Sequence, residues 1–264
     1  MIRYFFILLL IFLSQACTAQ LYTSANIFAH NDYEKPIPLQ IAYNEQVGFI
    51  EADVFLSDEN LFVAHESKQI QKDKTLETLY LNLLNKLIEE NGGHAYADKG
   101  LSLTLMIDLK TEGVATLNTL ISKLKNYPKL IECKTLFITV SGNMPAPALW
   151  SNYPDYIHFD GRPGITYTPE QQKRIRLVSA NFRSYSSWNG KGALTNSDEE
   201  KINRVIEAAH AMNKPFRFWA IPDFPESWKK LIEFRVDILN TDDVSGLAAF
   251  LKERKKTESN LNKK

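Results

Sequence analysis

The chain has 264 residues, of which 44% are hydrophobic and 23% are charged, and its 31 basic residues balance 31 acidic ones. This composition is ordinary for a globular protein, and the length suits one large domain. A chain without net positive charge gives no indication of nucleic acid as a partner.

The first 19 residues have the pattern of a secretory signal peptide. Arg3 supplies a positive start, residues 4–13 form an unbroken apolar run, and residues 16–19 form a small-residue stretch before a cleavage point after Ala19. We therefore expect an exported protein, periplasmic or extracellular, whose mature chain has 30 basic and 31 acidic residues.

Two alternatives to soluble export are less favoured. The apolar run is too short to span a bilayer as a retained helix. Lipid attachment at Cys17 would require a lipobox, which Ser14-Gln15-Ala16 matches poorly. Removal of Cys17 with the signal leaves Cys133 alone, so no intramolecular disulfide is expected.

Apolar runs rich in β-forming residues alternate with helical patterns along the rest of the chain. Eight such runs are predicted as strands: Asn26 to Asp32, Phe49 to Leu56, Leu103 to Lys110, Thr135 to Gly142, Tyr156 to Gly161, Ile175 to Phe182, Phe216 to Asp223 and Val236 to Asp242. Between them lie amphipathic segments, including Thr75 to Glu90, Val114 to Asn126, Asp198 to Met212 and Ser227 to Glu233.

Eight strand–helix units in this length predict an α/β fold of the closed (β/α)8 type, the TIM barrel, rather than an open doubly wound sheet. The barrel domain is assigned to residues 20–251. Residues 252–264 are charged and poor in apolar side chains, which predicts a frayed, solvated tail.

Polar side chains stand at the carboxyl end of almost every predicted strand. They are His30, Asp53, Asp108, Ser141, Asp160, Asn181, Trp219 with Asp223, and Asn240 with Asp242. Because the carboxyl ends of barrel strands meet at one mouth, we expect these side chains to share one site.

Two carboxylates and two histidines form the centre of this expected site. Glu51 and Asp53 are two apart in a strand and therefore share a face, where they offer two hard oxygen ligands to one cation. A turn centred near Glu59 would set His65 opposite Asp53. His30 supplies a second imidazole, which completes acid/base equipment suited to a phosphate ester.

These residues occur in an order that resembles the PLC-like phosphodiesterases, which comprise glycerophosphodiester phosphodiesterases, phosphatidylinositol phospholipases C and sphingomyelinase D. The ordered set is His30-Asn31, Glu51-x-Asp53, His65-Glu66, Asp108-x-Lys110 and a late Trp219. The resemblance covers nearly the whole mature chain.

Some segments are closer to particular branches of that superfamily. The segment Ile107 to Thr111 is closest to sphingomyelinase D. Residues 30–33, 218–223 and 240–243 resemble a bacterial and fungal branch related to a yeast mitochondrial-inheritance protein.

The resemblance implies a TIM barrel with one divalent cation, Mg²⁺ or Ca²⁺, held by Glu51, Asp53 and Asp108, and catalysis by His30 and His65. The residue types agree, because three carboxylates without Cys or additional His suit a hard, oxygen-seeking ion rather than zinc.

Lys110 shares the strand face of Asp108. It can neutralise a phosphate oxygen during catalysis, or it can pair with Asp108 only to make burial tolerable, and we favour the first role. Two departures separate the chain from glycerophosphodiesterases. Asn31 stands where they usually have Arg, so one phosphate-gripping charge is missing, and Asp108 is shorter than their common Glu.

Five more residues are candidates for substrate binding, and Asp160 and Trp219 each have a structural alternative. Asn31 lies beside the first histidine. Asp160 is as readily a rim ion pair with Arg162 as a substrate contact, and Asn181 has a strand-end position without a defining spacing. Trp219 can flank a headgroup or fill the barrel, and its strand-end position favours the former.

Asn240 follows an apolar strand and can hydrogen-bond the catalytic group at the mouth. Asp242, two residues later, can equally cap the next helix.

The sequence thus predicts an exported, metal-dependent phosphodiesterase that acts on a small-molecule or lipid phosphodiester, with no stable protein partner implied. The rivals are a non-catalytic barrel that binds phosphorylated ligands and a metal-dependent hydrolase of carbonyl substrates. No strand-end Ser or Cys has a neighbouring base, so water or a substrate hydroxyl is the expected nucleophile. The resemblance to sphingomyelinase D favours the hydroxyl, which would give a cyclic phosphate.

Overall fold

A computed structural model describes residues 21–261 of the chain. The predicted signal peptide and Cys17 lie outside the described residues. Within residues 21–261, no helix is both long enough and apolar enough to cross a membrane.

Nine strands form one sheet, and eight of them are the predicted ones. The strands are β1 (Ile27–Ala29), β2 (Phe49–Ser57), β3 (Asn60–Val63), β4 (Leu103–Leu109), β5 (Leu136–Gly142), β6 (Ile157–Gly161), β7 (Ile175–Asn181), β8 (Phe216–Trp219) and β9 (Leu239–Thr241). Their spatial order is β8-β7-β6-β5-β4-β2-β1-β9, with β3 paired to β2 outside this path.

The sheet curves into a nearly closed barrel. Every neighbouring pair along the path is parallel, and β8 returns to the start of β9 through a parallel bridge between Arg217 and Ile238. The predicted (β/α)8 fold is therefore confirmed.

Helices connect the parallel strands. They are α1 (Gln40–Asn44), α2 (Asn82–Glu90), α3 (Gly113–Leu124), α4 (Pro128–Glu132), α5 (Pro169–Arg174), α6 (Asn196–Ala211), α7 (Pro225–Glu233) and α8 (Val244–Leu261), and a π-helical turn, Glu77–Leu81, leads into α2. The four predicted helices agree with these bounds to within two residues.

The carboxyl-terminal segment differs from its prediction. Residues 252–261 are not a frayed tail but continue helix α8. The side chains of Leu247 and Leu251 are buried and hold one face of α8 against the barrel. Lys252 forms an ion pair of 2.8 Å with Glu45. A helix that is anchored by its apolar face propagates into charged residues at little cost, because Lys and Glu are good helix formers.

Side chains inside the barrel lie in two levels. The lower level is an apolar cluster in which each residue comes from a different strand segment: Phe28, Phe49, Met106, Leu177 and Ile238. Two residues further along each strand the same face carries a polar group, since strand side chains alternate with a period of two. The apolar cluster closes the barrel below, and the polar level faces the mouth.

The β2–β3 hairpin is shifted by one residue from its predicted register. Ser57 pairs with Asn60, and Asp58 and Glu59 both have positive φ, which is the geometry of a two-residue hairpin turn. Asp53 therefore lies opposite Ala64 and not His65. His65 comes one position later, where the chain leaves the sheet and can turn back towards the mouth.

Candidate active site

A cavity of about 630 Å³ opens at the carboxyl end of the barrel. Its wall contains ten of the eleven predicted site residues: His30, Asn31, Glu51, Asp53, His65, Asp108, Lys110, Asp160, Asn181 and Trp219. Seven of the ten polar strand-end residues thus share this cavity, and their roles remain predictions.

The eleventh residue, Asn240, lies outside the cavity wall. It is buried, and its side-chain oxygen accepts a hydrogen bond of 2.9 Å from Nε of Arg217. Arg217 itself lines the cavity, stacks its guanidinium 3.5 Å over the ring of Phe28 and lies 3.6 Å from Glu51. Asn240 thus positions an arginine instead of facing the substrate space.

The carboxylates are brought together by strand register. Asp53 of β2 is the direct partner of Asp108 of β4, which in turn pairs with Ser141 of β5. Nζ of Lys110 lies 2.9 Å from Asp53 and 2.6 Å from Asp108, and the Ser141 hydroxyl donates to the other oxygen of Asp108 at 2.7 Å. Lys110 is therefore the cation that joins two of the three carboxylates.

The electrostatics of this cluster follow from burial. Burial and the negative charge of Glu51 raise the pKa of Asp53 to about 6, although Lys110 opposes the shift. Burial lowers the pKa of Lys110, but the two neighbouring carboxylates outweigh it and raise the pKa above its ordinary value. Lys110 and Arg217 thus place two positive charges beside the three carboxylates of Glu51, Asp53 and Asp108.

The donor set suits a hard divalent ion in its chemistry, because all three candidate ligands are carboxylates at one mouth. Among residues 21–261, however, no three His, Cys, Asp or Glu side chains are already grouped so that they could hold an ion. Lys110 lies between two of the carboxylates, and Arg217 lies beside the third.

His30 is held by a carboxylate that the sequence did not assign to it. Its Nδ1 lies 2.7 Å from Asp242, and its Nε2 lies 3.6 Å from Glu51. Asp223 fixes Asp242 in turn, since it accepts hydrogen bonds from the Asp242 amide at 2.7 Å and from the Thr241 hydroxyl at 3.0 Å. The helix cap alternative for Asp242 is wrong, because Asp243 caps α8 through the Gly246 amide.

These contacts set the protonation of His30. Burial lowers the pKa of His30, but the hydrogen bond to Asp242 and the charge of Glu51 together raise it above its usual value. The pKa of Asp242 is lowered correspondingly, first by the hydrogen bond with His30. The pair therefore favours imidazolium and carboxylate.

Asn31 begins the turn that follows His30. It adopts a left-handed conformation with φ of 51°, which Asn tolerates better than most residues. Its backbone amide donates to Glu51 and its side chain donates to Asp242, both at 3.3 Å. Asn31 thus organises anionic groups of the site, where an Arg would add a charge.

His65 is oriented by a tyrosine that sequence reasoning missed. The hydroxyl of Tyr33 donates to Asp53 at 2.8 Å and lies 3.1 Å from Nδ1 of His65. His65 also lies 3.7 Å from Asp53 and has half of its side chain exposed. Tyr33 thereby connects the second histidine to the carboxylate cluster and leaves the Nε2 nitrogen for a ligand.

The opposite wall carries the remaining candidates. Asp160 is buried, and this burial raises its pKa to about 7 against the opposing charge of Arg217 and the neighbouring Ser179 hydroxyl. Asn181 also accepts from the Arg183 amide at 2.9 Å and so caps a turn. Trp219 is 41% exposed, which excludes the barrel-filling alternative.

The residues that were not assigned to the site from the sequence differ in how visible they are there. Arg217 is a charged residue inside the apolar run Phe216–Trp219, and the period-two rule places it on the inner face with Trp219. Tyr33 gave no comparable signal, because its contacts join loops that are far apart in sequence, and Asp223 was predicted at the barrel mouth without its contact to Asp242.

We predict that Asp242→Asn lowers the pKa of His30, because a neutral amide stabilises imidazolium less than a carboxylate does. NMR titration of the imidazole C–H resonances, assigned with a His30→Gln variant, measures the shift. Asp243→Asn is the matched control and should leave the titration of His30 unchanged. An unaltered His30 pKa in Asp242→Asn would contradict the pairing.

The sequence is similar to a known domain family and to curated fungal proteins. Residues 18–131 match the family described as the AIM6-like phosphodiesterase domain. The chain is 26% identical to altered inheritance of mitochondria protein 6 homolog from Arthroderma benhamiae, across 85% of this chain and 83% of that protein. It is 27% identical to altered inheritance of mitochondria protein 6 from Kluyveromyces lactis, across 85% and 72%.

A solved structure shares the fold. A glycerophosphodiester phosphodiesterase from Parabacteroides distasonis superposes with a TM-score of 0.53 at 14% identity, covering 86% of this chain and 96% of that one. Residues 18–131 thus match an AIM6-like phosphodiesterase domain, in agreement with the resemblance predicted from the motifs, and the solved structure shows the same barrel fold.

Proposed function

We propose that this protein is an exported, metal-dependent phosphodiesterase that cleaves a glycerophosphodiester or phospholipid-like diester by acid/base catalysis with two histidines. One observation carries the proposal: His30 and His65 both line one cavity with Glu51, Asp53 and Asp108 at the mouth of the barrel. Export rests on the signal-like first 19 residues.

The cavity suits an anionic diester. Lys110 and Arg217 place two positive charges in its wall, next to the histidines. An anionic phosphate there gains charge-assisted hydrogen bonds, which are stronger than those between neutral groups. Asn31 is uncharged and stands where glycerophosphodiesterases usually have Arg. Arg217 supplies a positive charge to this site from another strand.

Each histidine has one nitrogen engaged and one available. Nδ1 of His30 is occupied by Asp242, and Nδ1 of His65 is occupied by Tyr33. In the proposed reaction one Nε2 accepts the proton of the attacking hydroxyl, and the other donates a proton to the leaving oxygen. The two proton transfers balance, so the diester becomes a monoester or a cyclic diester and an alcohol.

Glu51, Asp53 and Asp108 would hold the divalent ion, Mg²⁺ or Ca²⁺. When bound, such an ion supplies Lewis-acid polarisation of a phosphoryl oxygen. Asp53 connects the other two, because it shares a strand face with Glu51 and pairs with Asp108 across the sheet.

The attacking oxygen is proposed to come from water or from a substrate hydroxyl. Ser141 lines the cavity, but its hydroxyl donates to Asp108 and so keeps its proton away from an imidazole. A covalent serine intermediate would need the opposite arrangement, with the serine proton directed to a base.

One observation favours the non-catalytic alternative, a barrel that binds phosphorylated ligands. Lys110 already bridges Asp53 and Asp108, which makes the cluster stable without an added ion. Binding without turnover would then be expected, and a direct assay separates the two functions.

We expect chelator treatment to abolish cleavage of a panel of phosphodiesters and Mg²⁺ or Ca²⁺ to restore it. Asp53→Asn should weaken ion binding at least about tenfold by calorimetry, because the site loses one of three charged ligands. Asp58→Asn, in the exposed hairpin turn, is the matched control. Cleavage at full rate in chelator would refute metal dependence.

His30→Ala and His65→Ala should each lower kcat by about 10²- to 10⁴-fold, the usual contribution of a positioned acid or base. His94→Ala serves as a control, because His94 is not part of the cavity wall. Thermal unfolding of each variant establishes that the barrel remains folded. Near-normal turnover in both cavity variants would exclude acid/base roles for these residues.

A further inference from the structure

The amino-terminal end of the barrel, opposite the cavity, carries a separate group of side chains that we name the barrel floor. Four strands contribute their second residue to it: Thr104 of β4, Phe137 of β5, His158 of β6 and Arg176 of β7. A strand rises by about 3.3 Å per residue, so Thr104 lies about 13 Å from Asp108 along β4. The floor is therefore remote from the candidate active site.

Arg176 reaches the floor because it occupies an irregularity in its strand. The register of β6 and β7 shifts between Phe159 and Asp160, and Arg176 is the additional residue of β7 that has no partner on β6. Such a bulge redirects the side chain of its extra residue. The Arg176 side chain accordingly extends across the end of the barrel, where its Nε donates a hydrogen bond of 3.1 Å to Thr104, three strands away.

The protein satisfies only part of the Arg176 guanidinium. This group stacks 3.8 Å over the ring of Phe137, but its Nη1 and Nη2 atoms have no hydrogen-bond partner within residues 21–261. In the same part of the chain Arg176 forms no ion pair, and burial lowers its pKa. A charge that is withdrawn from water without an ion pair is costly, so the free face of the guanidinium favours an anion from outside the chain.

Lys214 adds a second positive charge beside Arg176. Its Nζ donates to the carbonyl oxygen of Ile175 at 2.8 Å, and its remaining protons have no acceptor among the described residues. Burial and the positive charge of Arg176 lower the pKa of Lys214, and no carboxylate of residues 21–261 opposes this shift. Asp237 lies at the same end of the barrel but is paired with His210 at 2.7 Å.

The free donors define the class of anion. The Nη atoms of Arg176 offer several N–H groups in one plane, and Nζ of Lys214 offers others from a different strand end. A phosphate group presents oxygens in several directions and can accept from both side chains, whereas a carboxylate presents two oxygens in one plane. Arg176, Lys214 and His158 are partly exposed, so an ion can enter from solvent.

We infer that Arg176 and Lys214 form a binding site for a phosphate group at the floor of the barrel. The site is distinct from the candidate active site, because neither residue lines that cavity. Its existence does not depend on the proposed cleavage reaction.

NMR of the imidazole C–H resonances tests the site, because the five histidines report from different places. The ring of His158 lies 5.5 Å from that of Phe137, on which Arg176 stacks, whereas His30 and His65 line the cavity. A His158→Gln variant assigns the floor resonance. We expect inorganic phosphate to shift this resonance saturably at constant pH and ionic strength, and acetate to leave it in place. No shift in phosphate, or an equal shift in acetate, would overturn the inference.

Arg176→Met and Lys214→Met should each raise the Kd for phosphate at the floor by at least about tenfold, because each removes charge-assisted hydrogen bonds. Arg204→Met, on the exposed face of α6, is the matched control and should leave the Kd unchanged. Circular dichroism establishes that each variant is folded. If Arg176→Met is unfolded, Lys214→Met decides, because it leaves Arg176 stacked on Phe137. An unchanged Kd in folded Lys214→Met would overturn the assignment.

The cavity histidines separate this inference from the phosphodiesterase proposal. Phosphate that shifts only His30 and His65 binds in the cavity alone, and this result would reject the floor site. A His158 shift that persists in Lys110→Met and is lost in Arg176→Met would support the floor site, whether or not the protein cleaves any diester.

Discussion

The two-residue repeat of the barrel strands is the constraint on which the site depends. Phe28 and His30 share the inner face of the first strand, and Met106 and Asp108 share that of β4. In each case the apolar side chain fills the barrel and the polar one faces the mouth. A shift of one residue would exchange the inner and outer faces, so core packing also fixes the position of the catalytic groups.

Parallel register then converts positions along the chain into contacts between strands. Asp53 and Asp108 are 55 positions apart in sequence but are direct partners in the sheet. The negative charges of the buried Asp53 and the partly buried Asp108 repel each other. Lys110, two residues beyond Asp108 on the same strand face, offsets that repulsion. Arg217 lies 3.6 Å from Glu51 and offsets the negative charge of that carboxylate. The protein thus assembles a charged cluster inside the barrel because every anion has a cation close by.

The two histidines differ in how the fold supports them. His30 is tied to Asp242, whose own amide is held by Asp223, so this imidazole is fixed through two carboxylates in succession. His65 follows the β2–β3 hairpin and depends on the hydroxyl of Tyr33. A rigid imidazolium on one side and a more exposed imidazole on the other suit unequal roles in proton transfer.

Sequence patterns predicted the parts of the structure that follow from local periodicity. Strand ends could be located from apolar runs, which is why His30 and Asp160 were assigned to the cavity. Asp242 was ambiguous, because an Asp before a helix has the same local pattern whether it caps the helix or binds a distant imidazole. The hairpin register was wrong by one residue, since the positive φ values of Asp58 and Glu59 are not encoded by Gly or Asn.

Contacts between distant loops could not be predicted in this way. Tyr33 meets His65 only after the hairpin folds back, and Asn240 meets Arg217 only after the barrel closes. Neither pair has a spacing that a single sequence reveals. The helical continuation to Leu261 likewise depends on anchoring of the preceding turns and not on the composition of the tail.

Phosphorus NMR tests the central claim most directly, because it observes the scissile phosphorus without a chromogenic group. The purified protein is incubated with Mg²⁺ or Ca²⁺ and a phosphodiester that carries a hydroxyl next to the ester, in ¹⁸O-labelled water. The account predicts loss of the diester resonance, and a cyclic phosphate as the first product when the substrate hydroxyl attacks. Release of only an ¹⁸O-labelled open monoester would reject internal attack, and an unchanged diester resonance across the panel would contradict the assignment of this cavity as a phosphodiesterase site.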